Sequence, residues 1–256
     1  MWRKGRRNLK KKKIYKALAP YYDRLMDDVD YKGWIEYIKN ICVLNRLKPE
    51  TILDLGCGTG NPTFYLLKDG YKVIGIDGSM EMLKVAKKKL NALNPILILS
   101  RFQSFTVKKK VDMVISLFDS LNNLLLENDL RQTFICVLNS LRKSGLFVFD
   151  MNTIYGLSLM NSSSTFTKEN KGVYSIWKSR FDKKELLTTL SITLFVTENG
   201  HYKRVEETHI EKGYSRWTLK RLLKKVGFKK VSFYEHLTFR RAGSKTKRVV
   251  VVARKD

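Results

Sequence analysis

Three glycines spaced two residues apart give the first chemical signal in the sequence: Gly56, Gly58 and Gly60. Glycine lacks a β-carbon, so the backbone at these positions can turn sharply and let a ligand approach closely. The largely apolar residues 52–55 predict a short buried strand before the glycines, and residues 62–68 predict a helix after them. A strand, a glycine turn and a helix in this order indicate a nucleotide-type ligand site in an open α/β sheet.

The spacing of the glycines narrows the class of ligand. The pattern is Gly-x-Gly-x-Gly followed by Asn61, which differs from the Gly-x-Gly-x-x-Gly turn that binds a pyrophosphate. The chain also lacks the Gly-x-x-x-x-Gly-Lys-Ser/Thr pattern of a phosphate-binding P-loop. Asp77 ends the next predicted strand, 21 residues after Gly56. A carboxylate in that place can accept two hydrogen bonds from the hydroxyls of a ribose.

The segments around the loop predict the elements that position it. Two helices precede the first strand, and strands then alternate with helices, which favours a parallel sheet with helices on both faces. The predicted helices cover residues 14–26, 31–45, 62–68, 79–93, 127–142 and 218–226, and the predicted core strands cover 51–55, 72–77, 96–99, 111–117, 146–150, 231–235 and 248–254. The expected fold class is α/β with a Rossmann-like sheet.

The pattern changes between the fifth core strand and the last helix. Residues 158–171 are polar and rich in Ser and Asn, which predicts a loop. Three runs rich in Thr, Val, Ile and aromatic residues follow at 174–181, 186–196 and 202–213. Asn199-Gly200 joins the last two, and Asn-Gly is the strongest short signal of a hairpin. We therefore expect an antiparallel β meander inserted into the α/β chain.

The charge of the chain is extreme for its length, with a net value of +26 over 256 residues. Nine of the first 16 residues are Lys or Arg, which indicates a basic arm over residues 1–13, and residues 215–256 carry fourteen Lys or Arg against Glu235 and Asp256. Two explanations stay open. The lysines form solvated helix faces, or they mark a polyanionic partner such as RNA.

The three cysteines, Cys42, Cys57 and Cys136, are odd in number and widely spaced, so the sequence predicts neither a disulfide framework nor a zinc site. This usage favours a reducing, cytoplasmic location. No apolar run approaches the ~20 residues that span a bilayer, and the basic N-terminus lacks the apolar segment of a secretory signal. We therefore expect no membrane partner, and the oligomeric state stays open.

At this point the chain resembles the class I S-adenosylmethionine-dependent methyltransferases in two motifs: Asp54-Leu-Gly-Cys-Gly-Thr-Gly-Asn61 and Val73-Ile-Gly-Ile-Asp77-Gly-Ser79-Met-Glu-Met82-Leu83. The resemblance covers nearly the whole chain. Three further stretches are similar to a small-molecule-type subgroup, namely Tyr22-Asp-x-Leu-Met26, Phe118-Asp-Ser-Leu-Asn122 and Phe147-Val-Phe-Asp-Met-Asn152. That subgroup carries a β-sheet insertion after strand five, as glycine/sarcosine and amino-sugar N-methyltransferases do.

The resemblance implies a seven-stranded, mostly parallel sheet in which the last strand, 248–254, is antiparallel. It implies a single methyltransferase domain over residues 1–256. Within it we expect the basic arm at 1–13, N-terminal helices at 14–46, a Rossmann-like core at 47–153 and 214–256, and an inserted β-sheet subdomain at 154–213.

The resemblance also implies S-adenosylmethionine as cofactor and S-adenosylhomocysteine as product. The turn from Gly56 to Gly60, which includes Cys57 and Gly58, would pass under the methionine part, Asp54 would order the turn and reach the amino group, and Asp77 would take the ribose hydroxyls. Further contacts are implied beside the adenine, at the amino group and over the carboxylate end, from Gly78, Ser79, Met82, Leu117, Tyr22 and Trp34.

One position departs from the family pattern. After strand three the family usually has an acidic residue that accepts from the adenine amino group, but this chain has Arg101-Phe-Gln-Ser-Phe105. Arg101 offers no acceptor. Gln103 or a backbone carbonyl beside Phe102 would then take over the contact, or the affinity for the cofactor would be reduced.

Methyl transfer from a sulfonium is an in-line displacement that needs an oriented nucleophile and exclusion of water. The candidates for a general base are Asp119 and His209, with Tyr214 and Asn152 as groups that position the acceptor. Each has a structural alternative. Asp119 caps a helix, His209 faces solvent on an amphipathic strand, and Tyr214 packs at a hinge.

The acceptor itself is not named by the sequence. No Asp/Asn-Pro-Pro-aromatic tetrad follows strand four, so the chain lacks the motif that amino-methylating DNA enzymes use. We expect methyl transfer to an N or O acceptor of a small molecule. Two alternatives stay open: an RNA methyltransferase that docks RNA on its basic surface, and a non-catalytic methyltransferase-like RNA-binding protein.

Overall fold

The computed structural model of the chain describes residues 15–160, 165–198 and 200–256. The basic arm predicted for residues 1–13 lies outside the described residues. The helices are α1 Tyr22–Leu25, α2 Tyr31–Leu44, α3 Asn61–Lys68, α4 Met80–Leu90, α5 Glu127–Ser140, α6 Ile154–Leu159 and α7 Arg216–Val226. The strands are β1 Thr51–Leu55, β2 Lys72–Asp77, β3 Ile96–Leu99, β4 Val111–Ser116, β5 Leu141–Asn152, β6 Thr165–Asn170, β7 Val173–Asp182, β8 Leu187–Glu198, β9 His201–Lys212, β10 Phe228–Glu235 and β11 Arg248–Lys255.

A seven-stranded sheet in the order β10-β11-β5-β4-β1-β2-β3 forms the centre of the molecule. The pairs among β1 to β5 are parallel, whereas β11 pairs antiparallel with both β5 and β10. This confirms the predicted Rossmann-like sheet with an antiparallel last strand. Because β1, β4 and β5 are buried on both faces, they carry nearly continuous apolar runs, which is why the sequence revealed them.

The four strands β6-β7-β8-β9 form a separate antiparallel sheet between α6 and α7. The three predicted strands correspond to β7, β8 and β9, whereas the prediction of a loop over residues 158–171 was wrong, because these residues contain the end of α6 and the strand β6. β6 pairs with β7 from Thr165↔Lys178 to Asn170↔Val173, so backbone pairing holds this polar segment in the sheet. Residues 161–164 lie outside the described residues.

Three apolar clusters hold these layers together. One face of the large sheet packs on α5 and α7, and the opposite face packs on α2, around the buried side chains of Trp34 and Ile38. Val43, near the end of α2, is exposed. The third cluster joins the described residues before α2, 15–30, to the inserted sheet through Leu18, Tyr21 and other side chains. We call residues 15–30 the N-terminal segment. None of the helices in the described ranges is long and apolar enough to cross a membrane.

Candidate active site

The glycine loop joins the carboxyl end of β1 to α3. Gly56, Gly58 and Gly60 have φ angles of +85°, +54° and +83°, which glycine adopts without strain. The Gly56 N–H donates to the Ile76 carbonyl at 2.7 Å, so the loop is tied to β2. A β-carbon at Gly56 would lie 2.9 Å from Ser120 Oγ, whereas one at Gly58 would meet nothing within 4 Å. The loop therefore packs tightly on one side and faces open space at Gly58.

Asp77 lies beside this loop at the end of β2. Its Oδ2 accepts from the Gly58 N–H at 2.9 Å, and its Oδ1 accepts from the Ser79 N–H at 2.7 Å. Ser79 is in turn the N-cap of α4 and accepts from the Met82 N–H. Burial raises the pKa of Asp77, and the backbone hydrogen bonds oppose the rise. Each carboxylate oxygen has two lone pairs, so Asp77 can still accept from two ligand hydroxyls.

Asp54 is a second buried carboxyl under the same loop. Its Oδ2 accepts from Thr63 Oγ1 at 2.6 Å, and the residue is 1% exposed. Burial raises the pKa of Asp54 to about 7, the Thr63 hydrogen bond opposes the rise, and the charge of Asp77 adds to it. A ligand that brings a positive charge near Asp54 would favour its ionised form.

Asp23 of the N-terminal segment binds the glycine loop and the start of α3. Asp23 in α1 accepts from Thr59 Oγ1 at 2.6 Å and from Asn61 Nδ2 at 3.1 Å. Lys89 of α4 lies 2.7 Å from the other oxygen of Asp23. The residue before Asp23, Tyr22, is half-buried, and its pKa is raised by burial and by the charges of Tyr31, Asp119 and Asp77. The segment therefore places Tyr22 near both Asp77 and Asp119.

Asp119 follows β4 in an unusual backbone conformation. Phe118 and Asp119 have φ angles of +57° and +50°, a region that costs non-glycine residues energy and is common at functional sites. Asp119 occupies the N-cap position of the 3₁₀ helix Ser120–Asn123, but its side chain makes no capping hydrogen bond. Its N–H donates to Asp150 Oδ2 at 3.1 Å. The carboxyl of Asp119 is thus free to serve other partners.

Arg248, the first residue of β11, holds these carboxyls in place. Its Nε donates to Asp150 Oδ2 at 2.6 Å, and its Nη2 lies 2.8 Å from Asp119 Oδ1. The guanidinium also faces the rings of Trp34 and Phe118 at 5.6 and 5.9 Å from their centroids. Burial raises the pKa of Asp150, and Arg248 opposes this rise.

Asn152 links Asp119 to a carboxyl on the inserted sheet. Its Nδ2 lies 3.1 Å from Asp119 Oδ2 and 3.4 Å from Glu211 Oε2. Burial raises the pKa of Glu211 to about 8, the charge of Asp119 adds to this, and Asn152 and Arg248 oppose it. Glu211 therefore holds its proton near neutral pH and can exchange it there.

His209 lies two residues before Glu211 on the same face of β9 and is buried. Its Nε2 lies 2.8 Å from Glu207 Oε1, and its ring packs edge-on against Tyr15 at 4.4 Å. Glu207 also accepts from the N–H groups of Tyr15, Ala17 and Leu18. This network fixes the N-terminal segment to the inserted sheet.

Comparison with known proteins assigns this arrangement to a family. The model of the family described as methyltransferase domain matches residues 52–145. YqeM of Bacillus subtilis (strain 168), which carries a provisional methyltransferase name, is 32% identical over 217 residues, or 84% of this chain and 86% of that protein. The chain belongs to the class I S-adenosylmethionine-dependent methyltransferases.

Two further relatives extend this result. The crystal structure of an S-adenosylmethionine-dependent methyltransferase from Clostridium acetobutylicum ATCC 824 is 30% identical and superposes with a TM-score of 0.84, covering 94% of this chain and 98% of that one. A glycine/sarcosine N-methyltransferase from Halorhodospira halochloris is 27% identical over 189 residues, or 72% of this chain and 67% of that protein. The predicted class I methyltransferase family and fold are confirmed.

S-adenosylmethionine is the cofactor of this methyltransferase, and the residues at the glycine loop fit it. The open space at Gly58 leaves room for a ligand against the backbone, and Asp77 retains acceptor capacity for hydroxyls. At the carboxyl end of β4 the buried Ser116 Oγ has no hydrogen-bond partner among the described residues. Asp54, Asp77 and the loop backbone would hold the methionine and ribose parts.

The structure brings most of the predicted cofactor residues of the methyltransferase to one end of the sheet, with side chains in several different environments. The thiol of Cys57 packs against β2, because a β-carbon added at Gly75 would lie 2.9 Å from Cys57 Sγ. Only the backbone of Cys57 is therefore available to the cofactor. The Leu117 carbonyl already accepts from Ser120 Oγ at 2.8 Å. Trp34 is buried beneath Phe118 and His236, at 5.1 and 5.0 Å between ring centroids.

Arg101 is exposed after β3, so its side chain is not drawn into the protein interior. The neighbouring Phe102 is half-buried, and its Cζ would lie 3.1 Å from a β-carbon at Gly56. Phe102 therefore packs over the glycine loop in the place predicted for the adenine side of the cofactor. The acceptor for the adenine amino group stays a prediction.

Of the four predicted catalytic residues, the structure brings two into contact, Asp119 and Asn152. His209 lies deeper in the inserted sheet, bound to Glu207. Tyr214 donates its hydroxyl to the Leu124 carbonyl at 2.5 Å within the apolar core, which favours its packing alternative.

Three residues of this site were not predicted from the sequence: Glu211, Arg248 and Tyr15. One signal was available for the first. In Glu207-x-His209-x-Glu211 the polar residues alternate along a strand, so all three share one face. Arg248 gave no such signal, because its partners lie on strands far apart in the sequence.

Proposed function

We propose that this methyltransferase transfers the methyl group of S-adenosylmethionine to an acceptor atom of a small molecule, and that this atom is an amine nitrogen rather than an oxygen. One observation carries the proposal: Asp119, Asn152 and Glu211 form a polar cluster beside the cofactor residues. Asp119 and Glu211 are half-buried, Asn152 is buried, and Tyr15 of the N-terminal segment packs on His209 of the same strand as Glu211, which favours a small acceptor.

The carboxyls favour an amine because it arrives as a cation. The cluster contains the carboxyls of Asp119 and Glu211 beside the Arg248 guanidinium, and Asp150 lies behind them. Its acidic groups therefore outnumber its cations. An ammonium group is attracted to such a cluster, whereas a phosphate or carboxylate is repelled. The relative from Halorhodospira halochloris is named for N-methyl transfer to glycine and sarcosine, which supports the same type of acceptor.

The chemistry assigns one task to each side chain. An ammonium nitrogen must lose a proton before its lone pair can attack, and the ionised fraction of Glu211 takes that proton, because a pKa of about 8 makes both of its forms accessible near neutral pH. Asp119 and the Asn152 side chain orient the nitrogen, and Arg248 keeps Asp119 in position. When bound, the cofactor supplies an electrophilic methyl group. The N–C bond forms as the C–S bond breaks.

The alternative of RNA as methyl acceptor has less support. It rests on the net charge of +26, whereas the groups around Asp119 are mainly acidic and would repel a phosphate backbone.

Transfer of a tritium-labelled methyl group from the cofactor tests this proposal. The protein is incubated with tritiated S-adenosylmethionine and a cell extract, and products are separated into dialysable, RNA and protein fractions. We expect label in the dialysable fraction, retained on a cation exchanger at neutral pH. Glu211→Gln should lower the initial rate by about 100-fold, the usual scale for a proton-transfer residue. Label in the RNA fraction would contradict the proposal.

A further inference from the structure

A basic pocket opens at the β10 edge of the large sheet, between α7, β10 and residues 240–242. It encloses about 440 Å³, which lies in the size range of small-ligand sites. Three cations line it, Arg216, Lys220 and Arg241. None of the residues placed in the active site of the methyltransferase lines this pocket.

Backbone and side-chain bonds hold the walls of the basic pocket in place. The Arg216 guanidinium donates to the Ala242 carbonyl, and the Ala242 N–H donates to the Phe233 carbonyl at 3.0 Å. Arg241 pairs with Tyr234 through a β-bridge. Arg216 and Lys220 are one turn apart on α7 and so share a face of that helix. The three cations are therefore arranged around a floor formed by β10.

The positive charge of the basic pocket is not neutralised by the protein. No Asp or Glu lines it, and within the described ranges none of its three cations pairs with a carboxylate. Its neighbours behave differently, since Arg221 pairs with Glu127 and Arg240 pairs with Glu235. Uncompensated cations that converge on one cavity attract an anionic ligand.

Two exposed aromatic rings flank the basic pocket. Trp217, next to Arg216, is 69% exposed, and the Arg221 guanidinium lies 5.1 Å from its ring centroid. Phe239 packs one side of its ring near Tyr37 and Tyr234, at 5.2 and 5.9 Å between centroids, and is still 44% exposed. Large exposed rings beside cations are the combination with which proteins hold unpaired bases together with their phosphates.

We propose that the basic pocket and its flanking rings bind a single-stranded nucleic acid, with phosphates at the three cations and bases on Trp217 and Phe239. An acidic peptide would satisfy the cations but would leave the exposed faces of the two rings uncovered. This surface does not depend on the identity of the methyl acceptor. It uses three of the fourteen Lys and Arg in residues 215–256, of which the active site uses only Arg248.

Fluorescence anisotropy of a labelled oligouridine of about twelve nucleotides tests this inference with the full chain. The pocket variant carries Lys220→Glu and Arg241→Glu. The matched control carries Lys87→Glu and Lys88→Glu, which make the same charge change on exposed positions of α4, near the opposite edge of the sheet. Residues 1–13 are present in every protein compared, so their charges contribute equally.

We expect binding that weakens with salt, with a log–log slope of about −2 for three phosphate contacts on a single strand. The pocket variant should bind at least about tenfold more weakly, with a slope smaller by about 1.4, and the control should stay within about threefold. Trp217→Ala should weaken binding by about fivefold or more and leave the slope unchanged, because stacking involves no counterion.

Three results would overturn the inference: absence of binding at low salt, equal losses in the pocket variant and the control, or equally tight binding of polyglutamate. Calorimetry with S-adenosylhomocysteine checks that each variant is folded. If the pocket variant does not fold, ultraviolet crosslinking of 4-thiouridine RNA to the unmodified protein decides. Crosslinks at Trp217 or Phe239 support the inference, and crosslinks confined to other surfaces overturn it.

Discussion

The Asp119 carboxylate lies in a network whose charges set the proton affinity of its neighbours. Arg248 contacts it from β11, Asn152 from the end of β5, and Glu211 lies beyond Asn152 on β9. Arg248 contacts Asp119 and Asp150 directly, whereas burial raises the pKa of Glu211 to about 8. One cluster thus contains a carboxyl paired with a guanidinium, which can orient a ligand, and a carboxyl that can exchange a proton near neutral pH.

Glu211→Gln should flatten the dependence of protein stability on pH. The folded protein holds the Glu211 proton up to a pKa of about 8, whereas the unfolded chain releases it near 4.5. The stabilisation is therefore complete below the unfolded pKa and is lost as pH rises to about 8. At about 1.4 kcal/mol per pKa unit, the wild-type protein should lose on the order of 5 kcal/mol more than the variant between these values.

Urea unfolding from pH 5 to pH 9 measures this difference without an acceptor. Glu206→Gln, on the exposed face of β9, is the control and should follow the wild-type curve. Parallel wild-type and Glu211→Gln curves would show that Glu211 ionises freely in the folded protein. That result would contradict its role as the group that takes a proton at neutral pH.

At the scale of elements, the N-terminal segment joins the two sheets. Leu18, Tyr21 and Leu25 pack on the inserted sheet, while Asp23 binds the glycine loop of the large sheet. The segment is therefore a physical link between the part that covers the acceptor and the part that holds the cofactor. The contact between Asp23 and Thr59 could not be predicted from the sequence, because the two residues are 36 positions apart and belong to different elements.

Asp23→Ala should weaken cofactor binding by loosening the glycine loop. The change removes two hydrogen bonds to a carboxylate and the carboxylate partner of Lys89, and bonds to charged groups are worth about 1.5–3 kcal/mol each. If half of one such bond reaches the cofactor, affinity falls by roughly four- to twelvefold. Calorimetry with S-adenosylhomocysteine measures this, and hydrogen exchange should show faster exchange of the loop amides.

Asp27→Ala is the matched control, because Asp27 pairs with exposed Lys171 and does not touch the glycine loop. Surface pairs of this kind contribute little to stability. Equal cofactor affinities for Asp23→Ala, Asp27→Ala and the wild-type protein would show that the loop keeps its shape without the N-terminal segment.

The elements also show what could be predicted from the sequence and why. Buried parallel strands such as β4 need apolar residues on both faces, so their sequences are distinctive. β6 is an edge strand with mostly exposed side chains, so its Thr165–Asn170 sequence resembles a loop and only pairing with β7 makes it a strand. The glycine loop and Asp77 were predictable because their roles depend on the backbone nearby. Glu211 and Arg248 were not, because their roles depend on which strands face each other.

At the scale of the whole molecule, charge is distributed unevenly. The carboxyls Asp54, Asp77, Asp119, Asp150 and Glu211 converge on the active site, whereas most of the cations that give the whole chain its net charge of +26 lie elsewhere. Exposed runs such as Lys108–Lys109–Lys110 and the lysines of α4 have few acidic neighbours. This distribution keeps the interior of the cleft attractive to cations while the outer surface repels itself.

That self-repulsion predicts that salt stabilises the folded protein. Raising NaCl from about 20 to about 300 mM shortens the Debye length from roughly 20 to 6 Å and screens repulsion between exposed lysines. Salt also weakens surface ion pairs such as Lys39–Asp69, but these are worth only about 0–1 kcal/mol each. The repulsion of 26 excess charges should prevail, so the Tm at pH 7 should rise by several degrees.

The variant Lys84→Glu, Lys87→Glu, Lys88→Glu should start from a higher Tm and gain less from salt. A Tm that falls with NaCl would mean that attraction between paired charges outweighs repulsion in this protein, despite its composition.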